Sequence, residues 1–142
     1  MSKSARRRAR EFVLQGLYQW QVGGQDVASI EAQAAGVAGF DKADGELYHA
    51  LLVQTMSDAA SLQEALKPYI DRPWTEISPI ERVILLLAAC EFSHFPETPY
   101  RVVLNEAIEL AKNFGGTDGH KFVNGVLDKL AALLRPAEAG AG

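Results

Sequence analysis

The chain has 142 residues, enough for one compact domain, and its 48% apolar and 23% charged composition is that of a globular protein with no apolar run long enough to span a bilayer. Fourteen basic against eighteen acidic residues give a net charge of −4, yet Lys3, Arg6, Arg7, Arg8 and Arg10 all fall in the first ten residues with no acid among them. One end is therefore about +5 and the rest, nine basic residues against eighteen acidic, about −9.

Such a block on an acidic protein points to a polyanion site, RNA or DNA first, and a solvated arm without a partner is the competing reading. Gln15, Gln19 and Gln21 interrupt the stretch behind it, unlike the unbroken core of a signal peptide. A transit peptide does not fit either, because cleavage has to spare core residues that begin at Phe12. The expected compartment is the cytoplasm, with no membrane association. Cys90 is the only cysteine, so no internal disulfide can form, and its place in the apolar run 83–90 marks a small core residue.

No segment alternates with period two, and every long segment reads at a period near 3.6, which predicts an all-α fold of about seven helices in two small packed bundles. The first helix carries Val13, Leu17 and Trp20 on its core line over 11–22. Arg6 and Arg10 extend the Val13/Leu17 line while Arg7 and Arg8 point elsewhere, so the arginines encircle the helix start and that turn should not pack like the rest. Cations there also oppose the helix dipole. Gly23-Gly24 stops this helix, and Asp26 caps a second through about Val37. A third runs from about Asp44 to Met56, and Ser57 or Asp58 opens a fourth with Leu62, Leu66 and Tyr69, distorted near Pro68. Arg72, Pro73 and Trp74 form a hinge, with Trp74 expected to be largely buried.

Beyond the hinge, Ser78-Pro79-Ile80-Glu81 is a capping box with proline at the first helical position. The helix it opens, apolar nearly all round, should be central. Pro96 and Pro99 separate it from a sixth helix, 100–114, with Val103, Ala107, Leu110, Ala111 and Phe114 on one face. Gly115-Gly116 ends that helix, and Thr117 or Asp118 caps a seventh over 119–134. The expected division is 1–74 and 75–135 as two subdomains of one unit, with 136–142 a disordered tail.

Groups suited to catalysis do not converge. His49, His94 and His120 are scattered without metal-ligand spacing, and Gly115, Gly116 and Gly119 lack the spacing of a phosphate loop. Glu106 and Glu109 read as solvated glutamates, and Glu91 with His94 as an ordinary surface pair. No nucleophile has a neighbouring base, so neither enzymatic activity nor a cofactor or metal is expected.

Three segments carry a likeness: ARRRAREFVLQGLYQW at 5–20, PIERVILLLAACEF at 79–92 and LNEAIELAKNFGGTDGHKFVNGVLDKL at 104–130. They resemble the NusB family of bacterial transcription antitermination factors, in order and over almost the whole chain, least well at 23–45. The same domain occurs at the front of some ribosomal RNA cytosine methyltransferases, a version not expected here. The resemblance implies a non-enzymatic helical adaptor that binds single-stranded boxA-type RNA of ribosomal RNA leaders. It would act with the small-subunit ribosomal protein NusE in an antitermination complex with RNA polymerase.

By the same resemblance, RNA contacts map onto Arg6, Arg7, Arg8, Arg10, Lys121 and Phe122, with Asp118 repelling phosphate and tuning affinity down. Arginines attract phosphate, and aromatic or guanidinium planes stack splayed bases. Burial between helices is the equal alternative for Phe122. The protein partner maps onto Tyr18, Glu76 and Glu81, the two glutamates being suited to a basic ribosomal protein. For Glu81 the capping box is the rival role. Monomer and homodimer both remain open, as does a protein-binding helical scaffold without intrinsic RNA binding.

Overall fold

A computed structural model describes residues 3–139. Seven α-helices account for the described chain: α1 Ala5–Gly23, α2 Val27–Ala35, α3 Gly45–Leu66, α4 Pro79–His94, α5 Tyr100–Phe114, α6 Gly119–Leu134 and α7 Pro136–Ala139. Short 3₁₀ turns at Phe40–Lys42, Lys67–Tyr69 and Trp74–Glu76 join them. The all-α expectation holds, and among the described residues no helix is long and apolar enough to cross a membrane.

Local chemistry explains the boundaries. The Ser4 hydroxyl accepts from the Arg7 N–H at 3.0 Å to open α1, and Gly24, at φ 69°, closes it in the left-handed conformation with its N–H on the Trp20 carbonyl. Asp26 and Asp44 cap α2 and α3 by accepting from the N–H groups of Ser29 and Leu47. At Gly16, α1 meets α2 and α3 so closely that a Cβ would lie 2.8 Å from Ile30 Cγ2, an approach only glycine allows.

The fifth predicted helix, α4, is indeed central: it packs against α1, α3, α5 and α6, and every residue from Val83 to Phe92 is buried. Cys90 lies within that stretch, and desolvation pushes its thiol up to about 12.

Four expectations need correction. The third and fourth helices are one, because the cap-forming side chains at the presumed break are satisfied without one. Thr55 donates to the Leu51 carbonyl at 2.6 Å, Ser57 donates to the Gln54 carbonyl, and Asp58 reaches His94 on α4 at 2.8 Å. Buried Leu47, Leu51, Thr55, Leu62 and Leu66 then form one stripe.

The expected tail is helical over Pro136–Ala139, while 140–142 lie outside the described residues. Glu138 anchors it by accepting from the Tyr100 N–H at 2.9 Å and from Arg135 at 2.6 Å. Arg135 is itself buried and donates to the carbonyls of Glu91, Phe92, Phe95 and Thr98, closing the C-terminal end of α4. Trp74 is half-buried rather than enclosed, and Phe114, expected on the core face of its helix, is 39% exposed.

Candidate RNA-binding surface

The arginine block does not behave as one unit. Arg6 is exposed, with Asp44 no nearer than 3.9 Å. Arg7 donates through Nε to Glu106 Oε2 at 2.9 Å, and that bond is the main reason its pKa lies above the ordinary arginine value. Arg8 is half-buried over Gly39 and, among the described residues, is the one arginine of the four with no carboxylate within 4.0 Å.

The solvent-facing reading is wrong for Arg10. It is 1% exposed and makes a two-pronged ion pair with Glu91, Nε to Oε1 at 2.7 Å and Nη2 to Oε2 at 2.9 Å. Burial opposes its charge, but the bond and charge of Glu91, helped by Glu106, keep its pKa raised. Four side chains thus form a chain from core to surface, Glu91–Arg10–Glu106–Arg7.

Glu91 and Glu106 are accordingly structural partners and not the surface acids expected. The signal was present in the sequence: a carboxylate inside LLLAACEF, and an arginine on the Val13/Leu17 line. A charge on a buried face requires an opposite charge.

At the start of α6, Asp118 occupies the N-cap position but caps nothing with its side chain. Its carboxylate instead lies 3.4 Å from Lys121 Nζ, both side chains being 73% exposed. Phe122 is half-buried, and the Arg72 guanidinium stacks 4.5 Å from its ring centroid. Sequence reasoning missed Arg72 because residues 50 apart give no periodic signal.

The three residues assigned to a protein partner fall in one region only in part. Tyr18 is 38% exposed and lines a cavity of about 300 Å³ with Leu14, Gln15, Gln19, Ile80 and Phe114. Glu81, next to Ile80, completes its cap: its N–H donates to Ser78 Oγ at 3.3 Å and its carboxylate accepts from that hydroxyl at 2.8 Å. The same carboxylate sits 2.9 Å from where a Cβ on Gly119 would be, which fixes the approach of α4 to α6. Glu76 is exposed on the preceding 3₁₀ turn.

Among the described residues no group of His, Cys, Asp and Glu is arranged to hold a metal. Fold and surface together define an all-α protein with a cationic helix start, built around a buried ion-pair chain. The chain belongs to the NusB family, whose model matches residues 7–132. It is 61% identical over 139 residues to the transcription antitermination protein NusB of Dechloromonas aromatica, covering 98% of this chain and 85% of that one. The NusB of Burkholderia lata is 57% identical over 141 residues, covering 99% and 97%. A solved structure of T. maritima NusB superimposes with a TM-score of 0.85 at 26% identity, covering both chains completely.

Proposed function

We propose that this chain is a transcription antitermination factor that binds single-stranded boxA-type RNA together with the ribosomal protein NusE. The observation that carries the reading is the state of Arg6 and Arg8. On a protein with nine basic residues against eighteen acids beyond residue 10, Arg8 stands at the opening turn of α1 with no carboxylate within 4.0 Å among the described residues, and Arg6 is exposed beside it with Asp44 at 3.9 Å. Internal packing gives them no role, and phosphate does.

Arg7 contributes its exposed edge while Glu106 holds it in place, and Arg10 supports the surface from inside without touching RNA. Lys121 adds charge, and the stacked Arg72–Phe122 pair offers a plane for a base. Asp118 weakens phosphate contact beside Lys121. The partner surface is the cavity at Tyr18 and Ile80, with Glu81, next to Ile80 in the chain, and the exposed Glu76 as acids that would steer a basic protein. No catalytic step is proposed, and the site of action is the cytoplasm.

The test is equilibrium binding of fluorescently labelled boxA-type RNA over a range of salt concentrations, with and without NusE. Four phosphate contacts would contribute about −2.8 to the slope of log affinity against log salt, and two about −1.4, at roughly −0.7 each. Replacing Arg6 and Arg8 with glutamine should flatten the slope by about 1.4. Phe122→Ala should weaken binding at all salt concentrations without changing the slope, since stacking releases no counterions. Unchanged slope and affinity in the double arginine variant would leave Arg6 and Arg8 without a role in RNA binding.

A further inference from the structure

Between α1, α2 and α3 lies a groove that the RNA-binding surface does not account for. Its larger part, about 340 Å³, is lined by Phe12, Gln15, Gln19, Gln33 and Tyr48 over an apolar floor that includes Ile30. A second cavity of about 190 Å³ shares Phe12, Gln15 and Val37 with it and ends at Arg8 and Gly39. Arg8, Phe12, Gln15 and Gln19 recur at helical spacing along one stripe of α1, so the groove leads from the open guanidinium past an aromatic ring to a set of side-chain amides.

Two further observations indicate a ligand. Tyr48 is 2% exposed, yet its hydroxyl has no hydrogen-bond partner among the described residues. A buried hydroxyl left unpaired is costly, and Tyr48 is one of the residues that line the larger cavity. Burial holds the phenol protonated, with its pKa pushed up to about 12. Of the carboxylates nearby, Glu11 lines the second cavity with Arg8 but is paired with Lys3 at 2.9 Å, and Glu31 is paired with His49.

We propose that this groove is a nucleotide-binding subsite: one base of the bound single-stranded RNA enters beside Phe12 and Tyr48, and its phosphate lies on Arg8. The inference rests on the RNA-binding reading above. The chemistry matches a base more closely than a peptide side chain. Gln15, Gln19 and Gln33 each both donate and accept, as a base edge does, and the Phe12–Phe40–Tyr48 cluster, with ring centroids 5.0–6.4 Å apart, gives Phe12 a rigid backing. The one uncommitted charge is positive.

The experiment compares Tyr48→Phe and Gln33→Trp with the wild-type chain, using fluorescein-labelled single-stranded boxA-type RNA and, separately, purified NusE. Tyr48→Phe removes an unpaired hydroxyl, so its melting temperature should be unchanged or higher. Its RNA affinity should fall about two- to tenfold, one net hydrogen bond, with the salt slope unchanged. Gln33→Trp, at an exposed α2 position, fills the groove from its rim and should weaken RNA binding at least as much. The Gln33 side-chain amide should also shift in the NMR spectrum when RNA is added.

If both variants bind RNA as the wild type does while Arg6→Gln and Arg8→Gln weaken it, the subsite is refuted and the RNA-binding reading stands. If the wild type binds no RNA, both fall. If Gln33→Trp impairs only NusE binding, the groove belongs to a protein and the nucleotide assignment is wrong.

Discussion

Replacing Arg10 with methionine separates the sequence-based view of the arginine block from the structural one. Methionine keeps most of the stem's apolar bulk but leaves Glu91 buried at 1% exposure with no cation. Glu106 cannot help, being an acid, and it remains held by Arg7 at 2.9 Å. Removing one partner of a buried pair costs about 3–5 kcal/mol, because the remaining charge keeps its desolvation penalty and loses its compensation. For a domain of this size that is a fall of roughly 9–15 °C in melting temperature. The double variant Arg10→Met, Glu91→Leu removes both charges and should recover most or all of the loss. Urea denaturation followed by far-ultraviolet circular dichroism measures all three proteins. RNA binding of the double variant should keep the wild-type salt slope. A single variant with wild-type stability and a flattened salt slope would show that Arg10 contacts phosphate and that the buried pair is not what it is argued to be.

Arg135→Met should cost about 2–4 kcal/mol by the same assay, since the carbonyls of Glu91, Phe92, Phe95 and Thr98 lose a buried donor. Glu138 should make the α7 contact acid-labile. Its carboxyl is held below the usual range by the Tyr100 N–H and by Arg135, so the contribution is present above the unfolded-state pKa and lost as pH falls through the folded one. The protection of the Tyr100 amide against hydrogen exchange, taken relative to its intrinsic rate at each pH, should therefore fall at acid pH, and Glu138→Gln should remove that fall. Cys90 should not react with a thiol reagent in the native protein at neutral pH and should react once the protein is unfolded in urea. Because its pKa is raised to about 12 from 9.0, its contribution to stability is intact below pH 9 and declines as pH rises towards 12.

What could be read without coordinates was whatever depends on neighbours along the chain. The 3.6-residue period, the Asp26 and Ser78 caps, the glycine stop after α1 and the burial of 83–90 follow from local backbone chemistry and from apolar spacing. The family likeness and the cationic α1 start are legible for the same reason. Errors arose where a local signal had a second outlet. Ser57 and Asp58 look like helix openers, but in the fold one hydroxyl bonds back into its own helix and one carboxylate finds His94.

Charge had the same ambiguity. Five cations in ten residues define a basic end, but which of them faces water depends on acids far away in sequence, Glu91 and Glu106, arriving on α4 and α5. The Arg72–Phe122 stack, the Arg135 closure of α4 and the groove at Tyr48 likewise join elements that meet only when the helices pack. The helices are therefore local properties of the sequence, whereas the division of one arginine block into a buried strut and a solvent-accessible pair belongs to tertiary structure, because pairing in a low-dielectric interior is decided by distance in space and not by distance along the chain.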